Sequence, residues 1–430
     1  MRVLISGGRV IDPSIQADGL MDVAIAAGRV VAVAPPSQMP GDFSPLRVID
    51  AKGLWVLPGL VDLSARLREP GYEYRATLES EIEAAMVGGI TSLVCPPDTD
   101  PVLDEPGLIE MLKFKARQLN LSKVYPLGAL TTGLNGETLT EMAELTEAGC
   151  VGFSQAEKPI RDLRVLVQAM KYARNFGFTV FLRPNEPNLS RGGVAHAGAY
   201  AARMGLSGVP VMSETIALQA YFELVRSTGT TLHVCRVSSA KGVDLIRQAK
   251  AEGLPVTCDV AIHHVHLIDM DIGFFDPNAH LIPPLREQRD RDAIRAGLLD
   301  GTIDAICSDH TPVDDDAKQM PFAESEAGAT GVELLLALTV KWMRENNVPV
   351  HRMVALLTSQ PANIIKVQAG SLRVGMPADV CLFDPQQEWV VGPNTLMSQG
   401  KHTPFNGLPM QGKVVATLVN GHVGYSALLA

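Results

Sequence analysis

The chain has 430 residues, of which 46% are apolar and 20% are charged, and its formal net charge is −10. This composition predicts a sizeable folded core and excludes wholesale disorder, and the acidic balance argues against a nucleic-acid binder or a basic membrane-binding surface. The sequence shows neither an apolar run of 18 residues nor a signal-peptide layout, and its six scattered cysteines form no CxxC pair. We therefore expect a cytoplasmic protein with free, buried thiols.

Both ends of the chain have the pattern of a β-sandwich. Short β patterns separated by glycine turns fill residues 1–57, and the far end repeats this pattern. The strand candidates are Arg2–Ser6, Arg9–Asp12, Met21–Ala26, Arg29–Ala34, Leu46–Asp50, Ala378–Asp384, Glu388–Val391 and Gly412–Gly421. Because chain termini often lie close together, we predict one discontinuous domain made of residues 1–57 and 366–430.

The middle of the chain, residues 58–365, alternates apolar strand runs with amphipathic segments. The strand candidates are Gly59–Asp62, Thr91–Cys95, Lys123–Leu127, Val151–Ser154, Thr179–Leu182, Thr231–Val237, Pro255–Val260 and Ala305–Ser308. Predicted helices between them include Thr77–Val87, Arg161–Asn175, Glu214–Ser227 and Lys241–Ala251. Eight parallel strands, each followed by a helix or loop, predict the α/β class and a closed (β/α)8 TIM barrel.

The segment Pro58–Gly71 reads as a buried strand that ends in a polar cluster, which is how a barrel enzyme commonly begins a metal site. Such a site needs imidazoles at two alternate positions after Asp62, since alternate residues on a strand point the same way. Those positions hold Ser64 and Arg66. A serine is a poor ligand for a divalent metal, and a guanidinium has no lone pair to give.

Several motifs, in order along the chain, resemble those of dihydroorotases of the amidohydrolase superfamily, the cyclic-amide hydrolases of pyrimidine synthesis. The matching stretches are Pro58–Asp62, Leu67–Gly71, Gly89–Leu93, Ile282–Arg286, Ser308–Pro312, Pro321–Glu324 and Gly375–Asp379. The resemblance implies a TIM barrel of the amidohydrolase type with a small β-sandwich built from both termini. It also implies a site at the carboxyl ends of the strands, where active members hold one or two zinc ions.

The family's metal ligands are replaced in this sequence. Carried over position by position, they fall on Ser64, Arg66, Gln155, Arg183 and Arg236, and only Asp309 survives, with the non-ligand residues Asp62 and Arg68. Each of three arginines at ~6 Å opposes a divalent ion by about 5 to 6 kcal/mol at an effective dielectric of ~20. We therefore expect no bound zinc and no catalytic residue, only a vestigial site of Asp62, Arg68, Asp98 and Asp309.

The same comparison predicts how the charges of this vestigial site are used. Arg68 corresponds to the family's substrate-carboxylate arginine, and we expect it to pair with Asp62, Asp309 or Asp98 instead. Asp98 stands where the family has an asparagine, and Val313 where it has a histidine that contacts substrate. The new arginines are expected to fill the pocket by pairing bidentately with Asp62, Asp309, Glu157 or Glu186.

Five histidines are weighed as ligands and interpreted as structural. His263, His264 and His266 form the most ligand-like cluster, because residues 264 and 266 would share a face if the segment were a strand. His233 lies in an apolar strand and is interpreted as a core residue. His196, in the glycine-rich segment Gly192–Gly198, is interpreted as an exposed loop histidine.

The resemblance implies a function without catalysis. We expect a dihydroorotase-like subunit that scaffolds or stabilises an aspartate carbamoyltransferase complex in de novo pyrimidine biosynthesis, with carbamoyltransferase catalytic chains as partners and self-association. One alternative is an active amidohydrolase with a rearranged site around Asp309. A second is a sensor in which Arg68 and the new arginines bind a small anion.

Overall fold

The computed structural model describes residues 2–428. Its N-terminal strands are β1 (Arg2–Asp12), β2 (Ala17–Ala26), β3 (Arg29–Ala34), β4 (Arg47–Asp50) and β5 (Trp55–Pro58). Two predicted strands merge into β1, because a bulge between Ile5 and Gly8 shifts the register without ending the pairing with β2. Gly7, at φ +77°, supplies the backbone conformation that this bulge needs.

The middle of the chain supplies the strands of the barrel. They are β6 (Leu60–Asp62), β7 (Ile90–Cys95), β8 (Lys123–Pro126), β9 (Gly128–Ala129), β10 (Phe153–Ser154), β11 (Thr179–Leu182), the short pair β12 (Ala195–His196) and β13 (Gly208–Val209), β14 (Thr231–Val234), β15 (Val256–Ala261) and β16 (Ala305–Cys307). The chain ends with β17 (Val380–Val390), β18 (Pro409–Val419) and β19 (His422–Ser426).

The helices lie mainly between the barrel strands. They are α1 (Leu78–Val87), α2 (Pro106–Leu119), α3 (Met142–Ala148), α4 (Leu163–Phe176), α5 (Ala199–Met204), α6 (Val211–Thr228), α7 (Ala240–Ala251), α8 (Ile262–His266), α9 (Gln288–Asp300), α10 (Asp315–Lys318), α11 (Leu335–Glu345), α12 (Val350–Leu357) and α13 (Ser359–Ile364). The predicted start of α1 is confirmed, because Thr77 and Ser80 form a reciprocal capping box there. Among the described residues, every helix is too short or too polar to cross a membrane.

The barrel is parallel throughout. Strands β6, β7 and β8 pair in that order, and so do β9, β10, β11, β14, β15 and β16. Strands β8 and β9 are separated only by Leu127, whose N–H still donates to Cys95 O of β7 (2.9 Å), so they serve as one bent strand. The predicted eight-stranded TIM barrel is thereby confirmed.

Contacts between β6 and β16 close the barrel. Arg66 N donates to His310 O (2.8 Å), just beyond the two strands. The Asp62 carboxylate accepts the Ser308 N–H (2.9 Å) and the Ser308 hydroxyl. Asp62 is therefore a structural cross-link at the seam of the barrel.

The two ends of the chain share one sheet. Its strands run in the order β19, β18, β17, β5, β1, β2, β3, with β4 beside β1. Val56 of β5 pairs with Leu382 of β17 in an antiparallel ladder, so residues from opposite ends of the sequence are direct neighbours. The β-rich domain built from both termini was predicted, but β5 and β19 were not identified as strands.

The core has separate layers inside and outside the barrel. Val61, Val94, Phe181 and Cys307 are buried in the barrel interior, and the helices pack their apolar faces around it. The six cysteines are free thiols, and only Cys235 is partly exposed. The predicted buried free thiols are thus present.

Gly71 offers a test of the loop that leads away from the site. The residue has φ +96°, and a Cβ atom there would lie 2.1 Å from Asp100 O. We expect Gly71→Ala to lower the melting temperature by several degrees, because it combines a left-handed backbone, costing ~1–2 kcal/mol, with a backbone clash. Gly177→Ala is the matched control, since Gly177 has φ +72° and open space around it. Equal melting temperatures for the two variants would contradict the clash.

Candidate functional site

The carboxyl ends of the barrel strands meet at a polar pocket of about 180 Å³. Its charged residues are Arg66, Arg68, Asp98, Glu157, Arg236, Asp309 and Glu326. All but Glu326 follow directly after a barrel strand, so parallel strand ends bring distant residues together. Leu281, Ile282 and the segment 326–329 form the remaining wall.

Glu157 is the centre of this charge cluster. Its Oε1 accepts from Arg66 Nη2 (3.0 Å) and from Arg236 Nη2, and its Oε2 is in ionic contact with Arg183 Nε. Burial opposes ionisation of Glu157, but the charges of Arg183, Arg236 and Arg66 outweigh it and hold the pKa of the carboxyl well below its ordinary value of 4.5. Glu157 is therefore ionised at any physiological pH.

Two further carboxylates balance the three arginines. Arg66 Nε donates to Asp98 Oδ2 (2.9 Å), and Arg236 Nη1 donates to Asp309 Oδ1 (2.9 Å). Arg66 Nη1 also lies 3.7 Å from Asp309 Oδ1 and donates to Thr311 Oγ1 (3.1 Å). Three cations thus face three anions, and the predicted pairing of the new arginines with Asp309 and Glu157 is present.

Two predicted pairings are wrong. Asp62 contacts none of the arginines, because both its oxygens bond to Ser308 at the barrel seam, and burial raises its pKa to about 6. Glu186 accepts from the N–H of Leu189 (2.7 Å) and from Asn188 Nδ2 (3.0 Å) within its own loop. Asp98, which pairs with Arg66, is the third carboxylate of the cluster instead of Asp62 or Glu186.

These residues do not fit a divalent metal. Three of the five positions at which the resemblance implies metal ligands present guanidinium groups, which have no lone pair. Of the other two, Gln155 is turned away and bonds to Thr131 (2.9 Å), and the Ser64 hydroxyl donates to Asp309 (3.4 Å). Asp309 itself is already engaged by Arg236, so the pocket lacks a set of free donors.

Arg68 lies at the edge of the cluster and not within it. Its Nε donates to Pro312 O (2.8 Å), and Nη2 is 3.8 Å from Glu326 Oε1. Burial and the neighbouring Arg66 and Arg75 lower the pKa of Arg68 to about 10. The predicted pairing with Asp62, Asp309 or Asp98 is wrong, because Glu326, brought in by a later loop, is the nearer carboxylate.

The backbone at the strand ends is strained. Arg68 (φ 62°), Ala156 (φ 49°), Arg236 (φ 55°) and Asp309 (φ 48°) all adopt the left-handed conformation, which costs a residue with a side chain ~1–3 kcal/mol. Such strain is typical of sites where side chains are aimed at a common point. Here the point at which the side chains converge is the ion-pair cluster.

The sequence did not identify His310 as important. Its Nε2 is 2.6 Å from Glu81 Oε2, and Glu81 also accepts the Ser398 hydroxyl (2.6 Å), all inside the core. These bonds connect α1, the segment after β16 and the connection between β17 and β18. The position of His310 beside Asp309 at the end of a strand was the only signal in the sequence that this histidine matters. Its partner Glu81 could not be predicted, because it lies far away in sequence.

The histidine cluster lies on a short helix, with His263 and His264 buried, so the condition under which it would resemble a ligand set, a strand over these residues, is not met. His263, His264 and His266 lie on the short helix α8 and not on a strand, so residues 264 and 266 do not share a face. His264 Nε2 contacts Pro284 O (3.2 Å) and His266 Nε2 contacts Leu338 O (2.9 Å). Burial lowers the pKa of His263 to about 3 and of the other two to about 4, so all three are neutral at pH 7.

His233 is a core residue, as predicted. It is fully buried, its Nδ1 contacts Thr257 Oγ1 (2.8 Å), and its Nε2 contacts Asp259 Oδ2 (3.0 Å). Although His233, Cys235 and Asp259 lie close enough to hold a metal, both ring nitrogens are already bonded. Burial also keeps the pKa of the Cys235 thiol well above its ordinary value, so this group offers no thiolate.

The interpretation of His196 as an exposed loop residue is wrong. Only 3% of it is exposed, because Arg286, 90 residues away in sequence, donates from Nη1 to its Nδ1 (3.1 Å). His196, Glu287 and Asp290 also lie within metal-binding distance of one another. However, an accepting Nδ1 leaves the proton of the neutral ring on Nε2, the nitrogen that is 3.7 Å from Glu287 Oε1. That nitrogen cannot bind a metal.

Comparison with known proteins gives consistent matches along the chain. Residues 53–242 match the family described as dihydro-orotase-like, and residues 194–425 match the amidohydrolase family. Dihydroorotase-like proteins of Pseudomonas aeruginosa and Pseudomonas putida are 42% and 43% identical over 98% of this chain and 99% of their own length. A dihydroorotase of Syntrophus aciditrophicus is 38% identical over 99% of both chains.

Solved structures share the fold at lower identity. The L-hydantoinase of Arthrobacter aurescens superimposes with a TM-score of 0.88 at 24% identity, covering 99% of this chain and 96% of its own. A dihydropyrimidinase of Brevibacillus agri gives a TM-score of 0.82 at 21% identity, covering 99% of this chain and 95% of its own. These structures therefore support the amidohydrolase barrel with its β-rich domain.

The shared carboxylate predicts a large effect of Glu157→Gln. Three buried guanidinium groups would lose their common counter-charge, and breaking buried ion pairs typically costs ~3–5 kcal/mol. Because 28% of the Glu157 side chain is exposed, we expect a loss near ~3 kcal/mol in the free energy of unfolding, measured by urea denaturation at pH 7. Glu110→Gln, an exposed glutamate on α2, is the control. Equal denaturation midpoints for the two variants would show that the cluster does not stabilise the fold.

The low pKa of Glu157 also predicts a pH dependence. Its carboxyl stabilises the folded state fully above its unfolded pKa, near 4.5, and this contribution is lost as the pH falls toward the lower folded value. From about pH 5 to about pH 3, the melting temperature of the wild type should therefore fall more steeply than that of Glu157→Gln. Parallel curves in a thermal unfolding series would contradict the assignment.

Proposed function

Because this chain belongs to the dihydroorotase-like family of amidohydrolases, we propose that it is a non-catalytic member, a subunit that supports the assembly of another enzyme. The observation that carries the proposal is the closed set of ion pairs at the carboxyl ends of the barrel strands. Arg66, Arg183 and Arg236 occupy positions where the family resemblance implies metal ligands, and each is in ionic contact with Glu157.

The chemistry of the pocket argues against hydrolysis of a cyclic amide. That reaction needs an activated water and a group that polarises the carbonyl, and zinc supplies both in the active members of the family. Asp309 could in principle act as a base, but Arg236 holds its Oδ1 and Ser64 donates to the same oxygen. Although burial raises the pKa of Asp309 above its ordinary value, its Oδ1 would have to give up both donors before it could take a proton from a water, which disfavours the alternative of a rearranged active site.

The balance of charge also disfavours an anion sensor. The proposal of a sensor assumed an excess of positive charge in the pocket. Asp98, Glu157 and Asp309 offset Arg66, Arg183 and Arg236 one for one, and Glu326 lies between Arg68 and Arg75. An anion would therefore have to displace a carboxylate that is already in place.

A scaffold function for aspartate carbamoyltransferase is consistent with a fold that is complete. The barrel closes, the terminal domain is intact, and the curated relatives align over nearly the full chain. A closed barrel and an intact terminal domain, combined with arginines at the positions where the resemblance implies metal ligands, fit a protein that works through its surface. Carbamoyltransferase catalytic chains make the substrate of dihydroorotases, the enzymes that this chain resembles. The resemblance therefore suggests these chains as the partners.

Deleting the gene and purifying the carbamoyltransferase from the same cells tests this proposal. We expect incomplete assembly or reduced transferase activity without the chain, and recovery with either the wild type or a folded Asp309→Asn variant, because no chemistry of Asp309 is required. The folding of the variant is checked by its melting temperature. A transferase that is fully assembled and active without the chain would refute the scaffold function.

A second prediction concerns metal uptake. After expression with added zinc, the purified chain should contain far less than one zinc ion per molecule by plasma emission spectrometry, because three guanidinium groups repel a divalent ion. It should also hydrolyse dihydroorotate no faster than buffer, and a chelator should leave its melting temperature unchanged. A family member with dihydroorotase activity serves as the positive control. Stoichiometric zinc together with hydrolysis would show that the chain is an enzyme.

A further inference from the structure

A second cavity lies beside the pocket, and we call it the side cleft. It has a volume of about 180 Å³. Leu281 and Ile282 line both cavities, so this short segment is the partition between them. The loop after β11 and the strand β13 provide the opposite wall of the side cleft. Its polar residues include Arg183, Asn185 and His280, and Val194 and Val209 contribute apolar surface.

Arg183 differs from the other two arginines of the ion-pair cluster in how it uses its nitrogens. Arg66 and Arg236 donate from Nη atoms to carboxylates, whereas Arg183 contacts Glu157 through Nε. Within residues 2–428, neither Nη atom of Arg183 has a hydrogen-bond partner and neither is fully buried, although only 11% of the side chain is exposed. Arg183 lines the side cleft and not the pocket. Its free N–H groups are therefore available to a ligand there, and their geometry matches a carboxylate.

His280 contributes a hydrogen-bond acceptor to the side cleft. The Ser325 hydroxyl donates its one hydrogen to Phe322 O (2.8 Å), so its oxygen accepts from His280 Nδ1 (3.0 Å). Burial lowers the pKa of His280 to about 4, so the ring is neutral at pH 7 and its one proton is on Nδ1. Nε2 then carries a lone pair, has no partner within residues 2–428 and is not fully buried.

We propose that the side cleft binds a small monocarboxylate that also carries an N–H or O–H donor. The carboxylate accepts from the free Nη atoms of Arg183, the donor bonds to His280 Nε2, and the aliphatic part packs on Val194 and Val209. A second carboxylate does not fit, because its lone pairs would face the lone pair of His280. The volume corresponds to about six waters at ~30 Å³ each, so the ligand is small.

A carboxylate in the side cleft would displace no group of the protein. In the pocket every arginine nitrogen that could bind an anion competes with Asp98, Glu157 or Asp309. In the side cleft the Nη atoms of Arg183 are free while its Nε keeps the contact with Glu157. The side cleft is therefore a site of its own, and the proposal requires neither catalysis nor a partner protein.

The central test is isothermal titration calorimetry of the purified chain at pH 7. The probes are 2-hydroxybutyrate, 3-hydroxybutyrate and N-acetylglycine, and butyrate is the matched control because it has the carboxylate without the donor. We expect at least one probe to bind with a dissociation constant near ~1 mM or below, and butyrate to bind at least ~10-fold more weakly. Absence of binding by all three probes at ~10 mM, or equal binding of butyrate, would overturn the proposal.

Two variants test the assigned contacts. Arg183→Lys keeps a positive charge beside Glu157 but loses the paired N–H groups, so it should weaken the best probe at least ~10-fold. His280→Phe keeps a ring beside Phe322, whose centroid lies 5.0 Å from that of His280, but loses the acceptor. This variant should bind the hydroxy acids no better than butyrate, a loss of preference that a merely structural histidine would not cause. A preference that survives His280→Phe would contradict the assignment.

A third pair of variants identifies the cavity and is independent of these polar groups. Val194→Phe fills the side cleft and should abolish binding, whereas Ala327→Leu fills the pocket and should leave it unchanged, since Ala327 lines only the pocket. Melting temperatures confirm that each variant is folded. The reverse pattern would place the ligand in the pocket and overturn the proposal. The scaffold function is tested separately, because no carbamoyltransferase is present in these titrations.

Discussion

At the carboxyl ends of the barrel strands, which form its upper face, three guanidinium groups contact the single carboxylate of Glu157. The arrangement of the other charges on this face depends on that contact. Two like charges ~6 Å apart repel by about 3 kcal/mol at an effective dielectric of ~20, so three arginines on converging strand ends could not stay together without a counter-charge. Glu157, Asp98 and Asp309 supply it. The result joins the ends of β6, β7, β10, β11, β14 and β16 by ion pairs, where the resemblance implies that active relatives use a metal.

On the upper face, the contacts that close the barrel are separate from the ion pairs that fill the pocket. Asp62 bonds to Ser308 and closes the barrel, and His310 bonds to Glu81 and anchors the segment after β16. Neither interaction involves the arginines. The seam of the barrel therefore does not depend on the arginine side chains, which is consistent with structural similarity to hydantoinases at only about one quarter identity.

Much of this structure could be predicted from the sequence, and the failures have physical causes. Apolar runs identified the barrel strands, and the resemblance to dihydroorotases identified Arg66, Arg183 and Arg236 as neighbours by placing them at ligand positions of one site. The choice of partner was not predictable in the same way, because the arginine that Asp98 faces depends on side-chain geometry at the strand ends, and because Glu326 lies on a loop whose path depends on tertiary packing. His196 was placed at the surface because its burial depends on Arg286, a contact that leaves no local pattern. Likewise, β5 is a strand through its pairing with β1 and β17, and β19 is a strand through its pairing with β18.

The shared carboxylate has an evolutionary consequence. Replacing Arg66 alone by histidine would leave Asp98 without its cation, and replacing Arg236 alone would strip Asp309 of its closest partner. Each first step toward a metal-binding arrangement would thus weaken the fold before any ligand set was complete. Several substitutions would have to accumulate together, so the ion-pair network opposes a stepwise change to the histidines that the resemblance implies at these positions.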